Sequence, residues 1–256
     1  MNSKILLEKT GQVAVITFNR PKSLNAFNEQ MHQELYDTLN LLGEDPDVRC
    51  IVLQGSGKGF SAGADLNMEE QVDYGDYLRK TYNRLLLCLT NLKKPVIASL
   101  HGPVYGAGIG IALACDFRIA SSSSTYCMAF INIGLVPDAG TSFFLPRIVG
   151  LSRAMEMAML GDVLSAEKAY EIGLVGKVVT DEKLAEETMA FANRLANAPT
   201  VALGRIKEMM TKSFERDLAT ALEIEAEGQS FCGKTRDHQE GIQAFFEKRK
   251  PRFKGE

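Results

Sequence analysis

Ala62-Gly63-Ala64-Asp65 and Gly106-Ala107-Gly108 are two glycine-rich turns, each following an apolar strand pattern and opening into a helical one. The strands are Cys50–Leu53 and Val96–Leu100. A strand-to-helix turn leaves backbone N–H groups at the helix start without acceptors. Small residues let a ligand atom come close to that backbone. Two such turns meeting in space offer two converging donors to one developing oxyanion. That arrangement points to acyl-group chemistry through an enolate and leaves open which group moves the proton. Close helix–strand packing explains either turn alone equally well.

Outward from the turns, Val13–Phe18 reads as a strand with Ile5–Glu8 as its partner, and Pro21 ends that region. Met31, Leu35, Leu39 and Leu42 fall at helical spacing behind Asn28, the expected N-cap. Residues 67–81 are polar, with Tyr74, Tyr77 and Tyr82 in or just after them, and read as a lid or as a solvated helix. Leu85, Leu86, Leu89 and Leu92 predict a helix, and Phe117–Ala120 and Thr125–Met128 predict strands. After Asp138 the pattern turns mainly helical: Ser152–Leu160, Ser165–Ile172, Asp181–Asn197, Pro199–Met210, Phe214–Ser230 and Thr235–Arg249. Gly161 and Gly173 stand as helix stops, and Val175–Val179 is one more short strand. The expected fold is α/β, a core over 1–198 and a helical region over 199–256. No proline- or serine-rich linker divides them, so both belong to one domain.

The 256 residues carry 29 Lys and Arg against 32 Asp and Glu, a net charge of −3 that argues against a general nucleic-acid surface. An acidic ligand must find local basic groups. The five cysteines form no CxxC pair, which favours reduced thiols in a cytoplasmic protein over disulfides or a zinc site. Met1–Glu8 has no apolar run long enough for a signal peptide. Residues 95–115 are the longest apolar stretch, and His101, Pro103 and several glycines make it strand–turn–helix rather than a membrane span. His32, His101 and His238 lack paired metal spacing, so no metal is expected. Ile111 occupies the third glycine position of a dinucleotide fingerprint, Gly55-Ser56-Gly57-Lys58 is too short for a P-loop, and no GxSxG elbow occurs.

Asp138, in Gly134-Leu135-Val136-Pro137-Asp138-Ala139-Gly140-Thr141, has two readings. One is an N-cap for a helix starting near Thr141. The other is a carboxylate base in an apolar pocket near Phe130, Ile133 and Leu135. Met68, Tyr82, Tyr105, Phe130 and Phe143 are the expected pocket wall.

Asn19-Arg20-Pro21-Lys22-Ser23-Leu24-Asn25-Ala26 and Phe60–Leu66 resemble the enoyl-CoA hydratase/isomerase (crotonase) superfamily. So do Lys94–Ala98 through Asp116, Leu164–Ala169 and the tail Gly241–Lys248, in order over nearly the whole chain. The resemblance implies a spiral of ββα units, a C-terminal helical trimerisation region, homotrimers or hexamers, and coenzyme A thioester substrates with no separate cofactor. It places oxyanion-hole amides at Ala64 and Ala107. It places coenzyme contacts at Ser23, Leu24, Ala62, Leu66, Phe245 and Lys248, the last two in many members from a neighbouring subunit. Lys248-Arg249-Lys250 is otherwise an ordinary basic helix end.

Hydratases of this superfamily use two glutamates, and Gly110 and Phe130 stand at those positions here. Adding water across a double bond needs a group to activate water and an acid to protonate carbon. Asp138 matches the aspartate of several isomerases of the family. The surrounding motif is most similar to phenylacetate-pathway ring-epoxide isomerases, whose chemistry resembles that of Δ3,Δ2-enoyl-CoA isomerases. A dehalogenase reading lacks the tryptophan that chemistry uses, since the chain has none. The expected function is therefore an acyl-CoA isomerase. Alternatives are an enoyl-CoA hydratase of fatty-acid β-oxidation and a non-catalytic acyl-CoA-binding subunit.

Overall fold

The structure, a computed structural model, describes residues 3–67 and 73–256. The strands are β1 (Ile5–Thr10), β2 (Val13–Phe18), β3 (Cys50–Gly55), β4 (Val96–Leu100), β5 (Pro103–Tyr105), β6 (Phe117–Ser121), β7 (Thr125–Cys127), β8 (Val163–Ser165) and β9 (Lys177–Val179). The helices of the first half are α1 (Glu29–Glu44), α2 (Tyr74–Lys80), α3 (Tyr82–Asn91), α4 (Ala107–Ala114) and α5 (Thr141–Val149). Those of the second half are α6 (Leu151–Leu160), α7 (Ala166–Glu171), α8 (Leu184–Ala196), α9 (Thr200–Thr211), α10 (Leu218–Cys232) and α11 (Arg236–Phe246).

One sheet runs β1-β2-β3-β4-β6-β9, antiparallel at β1–β2 and parallel elsewhere. A parallel sheet buries both faces, and the two-residue period assigns them. Ala14, Ile16, Phe18, Ile51 and Leu53 pack in one cluster with Leu35 and Leu39 of α1 and Leu85 and Leu89 of α3. Val13, Val52, Ile97 and Ile119 pack on the other side against Leu184, Ala192 and Leu195 of α8. The second, smaller sheet is β5-β7-β8. Its outer strands were not predicted: β5 lies inside the apolar stretch 95–115 and β8 in the short link between α6 and α7. The second turn thus follows β5 rather than β4.

Asn28 caps α1, its side chain accepting from the Met31 N–H at 3.0 Å. Gly161, at φ +65°, closes α6 as the sequence predicts. The tenth helix starts later than its periodicity suggested. Asp217 caps it at Leu218, and Phe214 lies in a preceding 3₁₀ turn. Residues 95–115 fold as β4, β5 and the fully buried α4, and no described helix is long and apolar enough to cross a membrane. Arg49 at the start of β3 is buried, donating to Thr200 Oγ1 (2.7 Å), the Ala198 carbonyl (2.6 Å) and the Phe253 carbonyl (3.0 Å). This guanidinium fixes α9 and the chain after α11 to the sheet.

His32 on α1 is buried among Phe27, Tyr77 and Tyr82, and neither ring nitrogen finds a partner. Burial lowers its pKa to about 3. Below the unfolded value, near 6.5, the unfolded chain takes up a proton that the folded chain refuses, so stability falls as pH falls. Urea unfolding should show His32→Phe gaining about 2 kcal/mol relative to wild type between pH 7 and pH 5. Parallel stability curves for the two proteins would remove this assignment.

Candidate active site

The first turn is held from below by a polar knot. Asn25, at φ +55°, donates to the Ser56 and Gly59 carbonyls (both 2.8 Å) and accepts from the Arg20 N–H (2.8 Å). Ser61 Oγ donates to the Asn25 carbonyl (2.9 Å) and accepts from the Gly63 N–H (3.1 Å). Arg20 closes on Asp65 at 2.6 Å. Partial burial pushes the Asp65 carboxyl up, and Arg20 together with the hydrogen bonds from Asn67 more than offsets this, leaving it below its ordinary value. Asp65 is paired and structural.

Ala64 pairs with Phe27 in a parallel bridge. The Phe27 N–H donates to the Gly63 carbonyl (2.7 Å) and the Asp65 N–H to the Phe27 carbonyl (2.9 Å). That pattern turns the N–H of Ala64 itself away from the bridge. Among the described residues it has no acceptor, and neither has the N–H of Ala107, the first residue of α4. The two turns touch. Gly63 sits at φ +99°, and a Cβ there would lie 3.0 Å from the Tyr105 carbonyl oxygen and 3.2 Å from the Ala107 nitrogen. Only glycine permits both the left-handed backbone and that approach.

Ala64 and Ala107 line a cavity of about 360 Å³, within the range of small-ligand sites. Ala62, Leu66, Phe130, Leu135 and Asp138 line it too, with Tyr74, Tyr77 and Leu78 of α2 and Tyr82 of α3. The described part of residues 67–81 is thus a helix facing the cavity. Met68 lies outside the described residues. Tyr105 is turned away to the Thr125 hydroxyl (3.1 Å), and Phe143 lines a neighbouring 510 Å³ cleft between α3 and α9 that lacks the paired amides. Ser23 is exposed, and Leu24, at φ +47°, accepts the Ala62 N–H on its carbonyl (2.8 Å). Phe245 and Lys248 are exposed and are not among the cavity's lining residues. Sequence reading did not pick out Tyr74, Tyr77 and Leu78 as wall. Their i, i+3 and i+4 spacing was the available signal.

The cap reading of Asp138 does not hold. The residue before α5 is Gly140, without a side-chain cap, and only the backbone carbonyl of Asp138 serves the helix, accepting from the Thr141 N–H (2.9 Å) and Oγ1 (2.7 Å). The carboxyl is left to the cavity, with Oδ1 buried and unpartnered, and burial pushes its pKa up to about 6. Gly110 of α4 sets its place. A Cβ on Gly110 would lie 2.2 Å from the Ala139 carbonyl oxygen and 2.8 Å from the Ala139 Cβ. Phe130, the other departure from the two-glutamate pattern, is buried beside Gly106.

The chain matches the family profile described as enoyl-CoA hydratase/isomerase over residues 8–256. It belongs to the enoyl-CoA hydratase/isomerase family. Within that family it is 41% identical over 249 residues to the 1,2-epoxyphenylacetyl-CoA isomerase of Escherichia coli (strain K12), covering 95% of each chain. It is 36% identical over 256 residues to the crotonyl-CoA hydratase of Syntrophomonas wolfei, covering 97% of each. The crystal structure of an enoyl-CoA hydratase from Bacillus anthracis superposes with a TM-score of 0.92 at 34% identity, covering 99% of this chain and 100% of that one. The α/β crotonase fold expected from the sequence is thereby shown, and family members named for isomerisation and for hydration both resemble this chain.

Replacing a helical glycine by alanine normally gains about 1 kcal/mol. At Gly110 the sign should reverse, because the added methyl group meets backbone at Ala139. Gly110→Ala should lower stability by about 1–2 kcal/mol in chemical denaturation. A gain in stability would show that the 138–140 backbone yields freely.

Proposed function

We propose that this protein is an acyl-CoA isomerase working through a thioester enolate, with Asp138 as its single acid–base. The carrying observation is the unpartnered, half-buried Asp138 carboxyl facing the same cavity as the unbonded amides of Ala64 and Ala107. The thioester oxygen sits between those amides, each worth about 2.7–4 kcal/mol of barrier. Asp138 breaks a C–H bond next to the delocalised system, and the electron pair moves to the thioester oxygen. The carboxyl then returns the proton to another carbon. An elevated carboxyl pKa makes Asp138 a better base than an ordinary aspartate once it is ionised. The acyl group is that of an enoyl thioester or of a ring epoxide.

Sterics at Gly110 support isomerisation over hydration. A glutamate side chain at that position has no room while the Ala139 carbonyl occupies it. Hydration by Asp138 with a bound water is the second reading, favoured by the 36% identity to a crotonyl-CoA hydratase. A non-catalytic acyl-CoA-binding subunit has no use for an unpaired carboxyl at this location.

The helical region also exposes Phe214, Leu218, Phe231, Phe245 and Phe246. This exposed apolar surface supports a homotrimer, or trimers paired as a hexamer, and the unpaired cysteines support a cytoplasmic location. In such an assembly Phe245 and Lys248 of one copy reach the coenzyme held at Ser23, Leu24, Ala62 and Leu66 of another. The coenzyme is part of the substrate, and no other cofactor is needed.

Asp138→Asn keeps the side-chain shape and should cut isomerisation of a 3-enoyl-CoA at least 100-fold, the usual scale of lost acid–base catalysis. In the wild type, kcat/KM should rise with pH through about 6 as the carboxyl ionises. Hydration of crotonyl-CoA should be slower than isomerisation at matched chain length. An Asn variant retaining a tenth of wild-type kcat, or hydration outrunning isomerisation, would overturn the reading.

Lys248→Glu should raise KM for the thioester several-fold with kcat nearly preserved, and the effect should shrink as salt is added. Steady-state kinetics at two ionic strengths checks this. An unchanged KM at low salt would leave Lys248 as a solvated helix-end charge.

A further inference from the structure

Five buried side-chain polar atoms among the described residues have no hydrogen-bond partner: both ring nitrogens of His32, the Ser56 hydroxyl, the Tyr82 phenol oxygen and Asp138 Oδ1. Four of the five belong to one neighbourhood. Tyr82 and Asp138 line the acyl cavity, and the His32 ring stands against the Tyr82 ring with centroids 4.1 Å apart at 77°. Unpaired buried polar groups are uncommon in folded proteins and call for a reason. The Arg20–Asp65 pair in the adjoining turn shows that this part of the chain does satisfy its polar groups elsewhere.

The two orphans on the cavity wall are complementary. An ionised carboxylate only accepts hydrogen bonds, whereas a phenol has one O–H to donate. Oδ1 of Asp138 is shut away from solvent, and so is the Tyr82 phenol oxygen, while the second carboxylate oxygen is not among the enclosed atoms. The base therefore has an inner oxygen and an outer one.

We propose that Tyr82 is the positioning residue for Asp138: its phenol O–H closes on the inner carboxylate oxygen when an acyl group fills the cavity, aiming the outer oxygen at the reacting carbons. This rests on Asp138 being the base. Hydrogen bonds of this kind are often open in the free enzyme and tighten around the substrate. The outer oxygen takes the proton from one carbon and returns it to the other, and Tyr82 keeps its own proton throughout. Burial, then the nearby charge of Asp138, holds the phenol's ionisation well above the ordinary tyrosine range, so it remains a donor. The other groups near Tyr82 do not compete for that role. His32 stays neutral, Tyr77 is pushed up to about 12 mainly by burial, and Asp65 is engaged by Arg20.

Tyr82→Phe separates positioning from packing, because the ring against His32 and Phe27 is kept. The Asp138 titration is read by ¹³C-carboxyl NMR of the intact protein saturated with hexanoyl-CoA, a thioester with no double bond to move, with Asp138→Asn assigning the signal. A donor to the charged form lowers a carboxyl pKa. The Asp138 midpoint should therefore rise by about half a unit or more in Tyr82→Phe. In the turnover assay kcat should fall roughly ten- to hundred-fold, with KM changed by less than about twofold. An unchanged midpoint in the thioester complex, or an unchanged kcat, overturns the proposal and leaves Tyr82 as packing. Absence of isomerase turnover in the wild type would instead fail the isomerase reading alone, since the NMR midpoint is read without turnover.

Discussion

The contact between Gly63 and the Ala107 nitrogen is the constraint on which the site depends. Two turns from different sheets bring their backbones to a separation that no side chain could tolerate. Everything around them serves that approach. The Asn25 knot and the Arg20–Asp65 pair brace one turn, and β5, held by β7, carries the other. Electrostatic stabilisation of an oxyanion needs donors fixed before the reaction begins. A backbone held by two sheets has that rigidity without help from a side chain, so residues as plain as alanine suit the proposed role at both positions.

The proposed acid–base group is held differently. Asp138 sits on a loop between a 3₁₀ turn and α5, and its carboxyl has no polar support in the structure. A lone carboxylate in apolar surroundings is a poor structural element and a suitable proton carrier, because burial lifts its pKa towards neutrality. One carboxyl able to both take and give a proton matches a 1,3-shift. The helical residues after position 199 add neither donors nor acid–base groups to the cavity of a single chain. Their aromatics Phe214, Phe231, Phe245 and Phe246 are exposed on the single chain.

Much of this was legible in the sequence, for physical reasons that differ by residue. The long strands and α1 announced themselves through period and caps, and Asn28 caps where its residue type said it would. The glycine turns marked where backbones approach, although only the structure showed which backbone meets which. Asp138 had two readings because a carboxylate before a helix is a cap by local rules, and the choice depended on Gly140 taking the cap position. β5 and β8 were hidden by their surroundings: β5 lies inside the apolar stretch 95–115, and β8 fills the short link between two helices. Tyr105 and Phe143 were expected in the acyl wall because they are aromatic and near in sequence, yet a three-residue strand and a helix turn point them elsewhere. The unpartnered Tyr82 hydroxyl was invisible, since hydrogen-bond satisfaction is a property of packing.

Gly110 against Ala139 has a further meaning for how such a chain can change over generations. Positions in direct contact do not mutate independently. An acidic residue at 110 is unwelcome until the backbone at 139, itself held at φ +48°, has moved. Moving it displaces the neighbouring aspartate before any second carboxyl has arrived. On the proposed roles, a lineage leaving one chemistry for the other would cross a valley in which neither proton carrier is in place, and chains can share a fold and over a third of their sequence while staying functionally apart.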